Sequence, residues 1–279
     1  MNNISANTLF HFTNSLQSII NILTNNFTPR YCMEKYDFLS NDESSLEFAV
    51  PMTCFCDIPL SQINNHVEYY GGYAIGLSKE WGIDKRINPV MYSQPQAFAT
   101  LIYKEFMENL DKAEKVLDSI VNDVKVSKKT SSKVSEALIS VKEAGALHFY
   151  FTNYMKSYKG LPWKNDSFSG ELVNFYNECE WRYVPNPYEL SDNGILSYLS
   201  KEQFLDITYK NAMNKKLGEV IRLAFTPNDI KYIVVNSENE ILNMCDQIDI
   251  IQGDKYSQND LKLLKTRIIS KEQILQDFW

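Results

Sequence analysis

From Pro95 to Tyr158 the chain carries almost no strand signal, and that stretch constrains the fold more than any other. Apolar residues recur there at helical spacing: Phe98, Leu101, Ile102, Phe106, Leu110, Ala113, Leu117, Ile120 and Val124. A polar break, KVSKKTSSK at 125–133, interrupts them. Val134, Leu138, Val141, Leu147, Phe151 and Met155 then resume the period. The pattern predicts a helical hairpin of roughly sixty residues, longer than an ordinary connection between strands. It reads as an insertion over 95–158 into a β-rich core formed by 1–94 and 159–279. The lysines of the break read as a solvated loop rather than a binding site.

On either side of the hairpin, short strands alternate with helices. Thr8–Phe12 reads as a strand, with Asn14 or Ser15 capping a helix to about Asn25. Residues 26–48 read as an irregular surface loop. Met52–Phe55, Tyr73–Leu77 and Pro89–Tyr92 read as strands, Pro59 opens a short helix through His66, and Ser78 caps a turn over Lys79–Trp81. Beyond Gly160, Glu180–Val184, Val220–Phe225, Tyr232–Asn236 and Arg267–Ile269 read as strands. Ser200–Lys216, Ser237–Cys245, Asp260–Lys265 and a last stretch capped by Ser270 read as helices. The sum is an α+β chain.

Bulk properties narrow the function classes. An apolar share of 44% supports a core. No apolar run approaches a membrane span, and the start MNNISANTLF lacks the pattern of a signal peptide, so the cytoplasm is the expected compartment. Cysteines at 32, 54, 56, 179 and 245 outline no disulfide framework, which fits that compartment. A net charge of −7 gives no general attraction for nucleic acid and leaves only a local basic patch to supply one.

Three clusters carry possible chemistry. His11 lies mid-strand in LFHFT, so it faces opposite to Phe10 and Phe12 and shares a face with Leu9 and Thr13. It reads equally as an exposed or hydrogen-bonded histidine of no special role or as a functional one. Glu178, Glu180 and Arg182 alternate along ECEWRYVP, either as an ordinary charged face or as a carboxylate placed to stabilise a developing cation. His66, Tyr69, Tyr70, Gly71, Gly72 and Tyr73 form either a packed glycine turn or a wall on which a flat ligand stacks. Cys54 and Cys56 have too short a spacer for a usual zinc pair and read as buried thiols, so no metal is expected. A thiol or metal enzyme would need both to converge with His66. His148 reads as a packing histidine. Phosphate-binding GxxxxGK[ST] and GxGxxG loops are absent from the sequence.

The segments LFHFT, VPMTCFCDIPL, YGGYAIGLSKEW and NPVMY resemble the AbiGi family of abortive phage-infection proteins, with looser likeness in ECEWRYVP and in VIRLAF and IKYIVV. That resemblance implies one half of a two-gene defence pair, with a protein partner. The order His11, Tyr73 (or Tyr70), Glu180 also resembles the histidine–tyrosine–glutamate pattern of the ADP-ribosyltransferase superfamily. It implies an α+β fold with a split β-sheet core, here carrying the helical hairpin as an insertion. It further implies NAD as substrate: His11 and Thr13 near a ribose, Tyr70 or Tyr73 stacked on nicotinamide, Glu180 on the developing sugar cation, and Arg182 orienting Glu180 or meeting the pyrophosphate. The acceptor would be a protein or a nucleic acid. Two expectations follow: an NAD-dependent transferase in phage defence, or an inert antitoxin that neutralises a partner toxin. The transferase needs His11 and Glu180 to face one cleft. The neutraliser needs an exposed apolar patch, expected on the hairpin.

Overall fold

Period-two alternation builds the centre of the molecule. In the computed structural model, which describes residues 6–39, 46–122 and 127–277, one sheet joins β1 (Thr8–Thr13), β2 (Arg30–Lys35), β3 (Glu47–Cys56), β4 (Tyr73–Ser78), β5 (Asn88–Pro89), β6 (Glu180–Tyr183), β7 (Leu199–Ser200), β8 (Ile230–Val235) and β9 (Ile268–Ser270). Its path runs β9-β8-β4-β1-β3-β6-β5, with β2 and β7 also paired to β3. The path is continuous. Neighbours along it are antiparallel except β8 and β9, which run parallel.

The α-helices among the described residues are α1 (Leu16–Asn25), α2 (Asn64–Tyr70), α3 (Lys79–Asp84), α4 (Phe98–Val121), α5 (Lys128–Thr152), α6 (Pro187–Asp192), α7 (Lys201–Leu205), α8 (Ile207–Val220), α9 (Ile241–Gln252), α10 (Gln258–Lys265) and α11 (Lys271–Asp277). Side-chain caps set several starts. Ser15 Oγ accepts from Ser18 N–H, Ser78 Oγ from Trp81 N–H and Ser270 Oγ from Gln273 N–H.

The chain divides into two compact units, 1–32, 49–90 and 176–279 against 33–48 and 91–175. In the first, each sheet face has its own apolar core. Leu9, Phe55, Ile75, Leu77, Ile233 and Val235 point to one face, where α1, α9 and α10 bring Ile19, Leu23, Met244, Ile248, Leu261 and Leu264. Phe10, Cys56, Ala74 and Val234 point to the other, against Ile63, Val67 of α2 and Ile274 of α11. These are the first and second faces below. Gly76 lies opposite Phe10, whose ring would stand 2.7 Å from a Cβ at that position. In β8 the register shifts between Ile230 and Tyr232, so the extra residue Lys231 lets Ile230 and Ile233 share the first face.

In the second unit, α4 and α5 form an antiparallel pair, with Leu110 lying over Gly145. Met91–Ser93 and Met155–Ser157 pair in parallel at its base. Ser127 caps α5, so most of the expected polar break is helix; residues 123–126 lie outside the described residues. This unit reaches beyond 95–158.

Other elements also differ from the sequence reading. The loop expected over 26–48 holds β2 and the start of β3. The single helix expected over 200–216 is two, broken at Asp206, whose carboxylate accepts from Tyr209 N–H and caps α8. The strand expected over 220–225 is the end of α8 followed by extended chain, held by a lone bridge from Leu223 to Phe27.

Candidate functional site

The expected catalytic residues are positioned by β1, β3 and β6, and their register decides whether they meet. Phe10 pairs with Cys56, and Cys56 pairs with Glu180. Residues directly opposite across a ladder share a face. Phe10, Cys54, Cys56, Glu180 and Arg182 therefore lie on the second face, and His11, Phe55 and Trp181 on the first. His11 and Glu180 point to opposite sides of the sheet. The cleft expected between them is not formed.

Each of the two is engaged where it stands. His11 Nδ1–H donates to the Cys54 carbonyl at 2.8 Å, and its ring lies edge-on to Phe27 at 5.2 Å. Burial lowers its pKa, outweighing the carbonyl bond that raises it. The carbonyl can only accept, so Nδ1 carries the proton of the neutral ring. Glu180 is buried, and Arg182 beside it has 0% exposure. Arg182 Nε donates to Glu180 Oε1 at 2.6 Å and Nη2 to Oε2 at 3.2 Å. This two-pronged bond holds the Glu180 carboxylate on its own strand.

The tyrosines separate in the same way. Tyr73 lies opposite Thr13 and packs against the first-face core. Its hydroxyl donates to Glu240 Oε1 at 2.8 Å, while Glu240 Oε2 accepts from Asn236 and Ser237 N–H at the approach to α9. Burial, then Glu240, pushes the Tyr73 hydroxyl up to about 12. Tyr70 ends α2, which packs on the second face; its hydroxyl donates to Glu178 Oε1 at 2.7 Å. Glu178 is not on the strand with Glu180. It closes a 3-10 turn, and Cys179 between them takes a positive φ of 44°. His66 packs its ring on Phe12 at 5.7 Å.

Burial raises both Cys54 and Cys56 well above the ordinary thiol value, and the carboxylates of Glu180 beside Cys54 and Glu178 beside Cys56 add to the rise. Among the described residues, no group of three or more His, Cys, Asp or Glu is placed to hold a metal ion. What gathers on the second face is a set of paired polar groups: Tyr70–Glu178 ties α2 to the turn before β6, and Glu180–Arg182 pairs two side chains of β6 itself.

A different surface is unsatisfied. On one side of the helical pair, Phe149 and Tyr36 pack on Phe48, with ring centres 5.0 and 4.6 Å away. The opposite side stays bare. At 100° per residue, Phe98, Ile102, Phe106, Ala113, Val116 and Ile120 of α4 form a second stripe beside the seam with α5. Ala137, Ala144 and Phe151 of α5 turn to the same side. His148 joins the two rows, its ring 4.4 Å from Phe106 and 6.4 Å from Phe151. Exposures are 77% for Phe98, 51% for Ile102 and 58% for Val116. The sequence reading had Phe98, Ile102, Phe106, Ala113, Ile120 and Phe151 in its helical period, but not Val116, Ala137 or Ala144, and could not divide the inward residues from the outward ones. The two-row pattern, apolar at both the seam and the flank of α4, was the available signal.

Comparison with known proteins adds the following. Residues 25–236 match the model of a family described as abortive phage resistance protein AbiGi, antitoxin. The abortive phage resistance protein AbiGi of Lactococcus lactis subsp. cremoris is 30% identical over 271 residues, covering 90% of this chain and 99% of that protein. No solved structure matches. No helix among the described residues is long and apolar enough to cross a membrane.

Proposed function

Because this chain belongs to the AbiGi family of abortive phage resistance proteins, we propose that it acts as the antitoxin of a defence pair, neutralising a toxin by binding it. The observation that carries this reading is the bare apolar side of α4 and α5. A helical pair that leaves Phe98, Ile102 and Val116 in water has an incomplete core, and a partner's apolar surface would complete it. Such a surface, rimmed by the exposed Lys115–Asp111 and Lys112–Glu108 pairs, has the apolar centre and polar border of a binding interface. Binding by this surface uses no turnover. The NAD-transferase reading has no comparable support, since His11 and Glu180 lie on opposite faces.

The test is rescue of growth. The protein encoded beside this chain in its own genome is expected to arrest growth alone and to be harmless when co-expressed with this chain. Phe98→Asp with Ile102→Asp is expected to abolish the rescue and the co-purified complex. Both side chains are exposed, so the unfolding free energy should change by no more than about 0.5 kcal/mol per site. A neighbour that is harmless by itself, or full rescue by the double variant, would overturn the reading. So would release of nicotinamide from NAD by the purified wild type.

A further inference from the structure

The chain has a net charge of −7, yet one groove in the first unit gathers cations. It encloses about 380 Å³ between the start of β2 and one side of α8. Arg30, Lys215 and Arg222 line it, with Glu219 as the one carboxylate. Spacing explains the gathering: Asn214, Lys215, Gly218, Glu219 and Arg222 fall on one side of α8 and its continuation. At Gly218 the helix runs close to Thr28, just before β2; a Cβ there would stand 3.4 Å from Thr28 Cγ2.

The donors are held ready. Arg222 Nε donates to the Gly218 carbonyl at 3.1 Å, which anchors the guanidinium and leaves its two terminal nitrogens. Asn214 Oδ1 accepts from Tyr31 N–H at 3.0 Å, so the amide offers the groove its NH2 end. Among the described residues, no ion pair engages Arg30, Lys215 or Arg222. Three uncommitted cations and a neutral donor in one concavity of an acidic protein focus a positive field.

We infer that this groove binds the phosphate of a nucleotide-sized ligand. Arg30, Arg222 and Lys215 take the phosphate oxygens and Asn214 adds a neutral hydrogen bond. Glu219 is an acceptor suited to a sugar hydroxyl. The volume lies within the roughly 300–1,000 Å³ of small-molecule pockets, more than a bare phosphate occupies. The site is independent of the toxin-binding reading and shares no residue with it.

Calorimetric titration of the full chain tests it, with ADP, inorganic phosphate and an oligothymidylate as the three probes. ADP is expected to bind saturably and about tenfold tighter than inorganic phosphate. Arg30→Gln with Arg222→Gln is expected to weaken ADP about tenfold or more. Glu219→Gln is expected to weaken ADP relative to phosphate, which a merely electrostatic patch would not do. Both arginines are exposed, and an unchanged circular dichroism melt controls for folding. No saturable ADP binding by about 10 mM overturns the inference, as does equal binding by the double-glutamine variant. Tighter binding of the oligothymidylate than of ADP also overturns it, in favour of a nucleic-acid backbone.

Discussion

Cys54 serves both sides of the sheet. Its carbonyl holds the His11 ring, while its thiol lies beside Glu180 on the second face. The buried Glu180–Arg182 pair is expected to matter for folding rather than turnover. Glu180→Ala removes the two-pronged carboxylate contact to the fully buried Arg182, at a cost of about 3–5 kcal/mol. Replacing both by leucine should recover most of that loss, as a double-mutant cycle by urea unfolding would measure. Loss of any activity in Glu180→Ala alone would therefore report unfolding. His11 gives a pH signature. Its folded pKa lies below the unfolded value of 6.5, so the unfolded chain takes up the proton first. Its contribution is full above about 6.5 and falls as pH drops below that value toward the folded pKa. The urea midpoint of wild type should fall between about pH 7 and 5, and less steeply in His11→Gln. His148, lowered in the same direction by burial, remains in both proteins, so the difference belongs to His11. The sequence revealed which neighbours His11 avoids, because alternation within a strand is local. It could not reveal whether Glu180 shares its face, because that depends on the register of β1 on β3 and of β3 on β6. A slip of one residue in either ladder would reverse the answer.

Elements were legible where one signal ruled. Thr8–Thr13, α1 and the start of α3 carry clean alternation or a serine cap and appear where expected. β2 was hidden by its polar residues, although its buried Tyr31 and Met33 alternate with less buried neighbours in RYCMEK. Extended chain after α8 shows the opposite problem. Ile221, Leu223 and Phe225 are buried and their neighbours exposed, a true period of two, but only Leu223 finds a bridging partner. Alternation reports burial of one face; a ladder also needs a second strand of matching length. The break between α7 and α8 turns on a cap. Asp206 has φ −70° and ψ 100°, and its carboxylate takes the Tyr209 N–H at 3.0 Å. Asp206→Ala should cost about 1 kcal/mol in thermal or urea unfolding, and Asp206→Asn much less. Helical periodicity runs straight through this point, which is why the two helices read as one.

At the scale of the whole molecule, the helical period over 95–158 falls within the second of the two units. It did not reveal that 33–48 belongs with it. Tyr36, Phe38 and Phe48 pack with Met155 and Tyr103 across more than fifty positions of sequence, a long-range association that no local pattern records. The chain passes between its two units at 32/33, 48/49, 90/91 and 175/176. Neither unit is thus a contiguous stretch of the gene. A truncation from either end removes part of the first unit before it frees the second, and excising 91–175 strands the aromatic segment 33–48. Moving 91–175 alone into another protein would carry the helical surface without Tyr36, Phe38 and Phe48, which pack within its unit. On the proposed binding role of α4 and α5, a change of partner would proceed residue by residue on those helices, while 33–48 stays tied to them by packing rather than by the order of the gene.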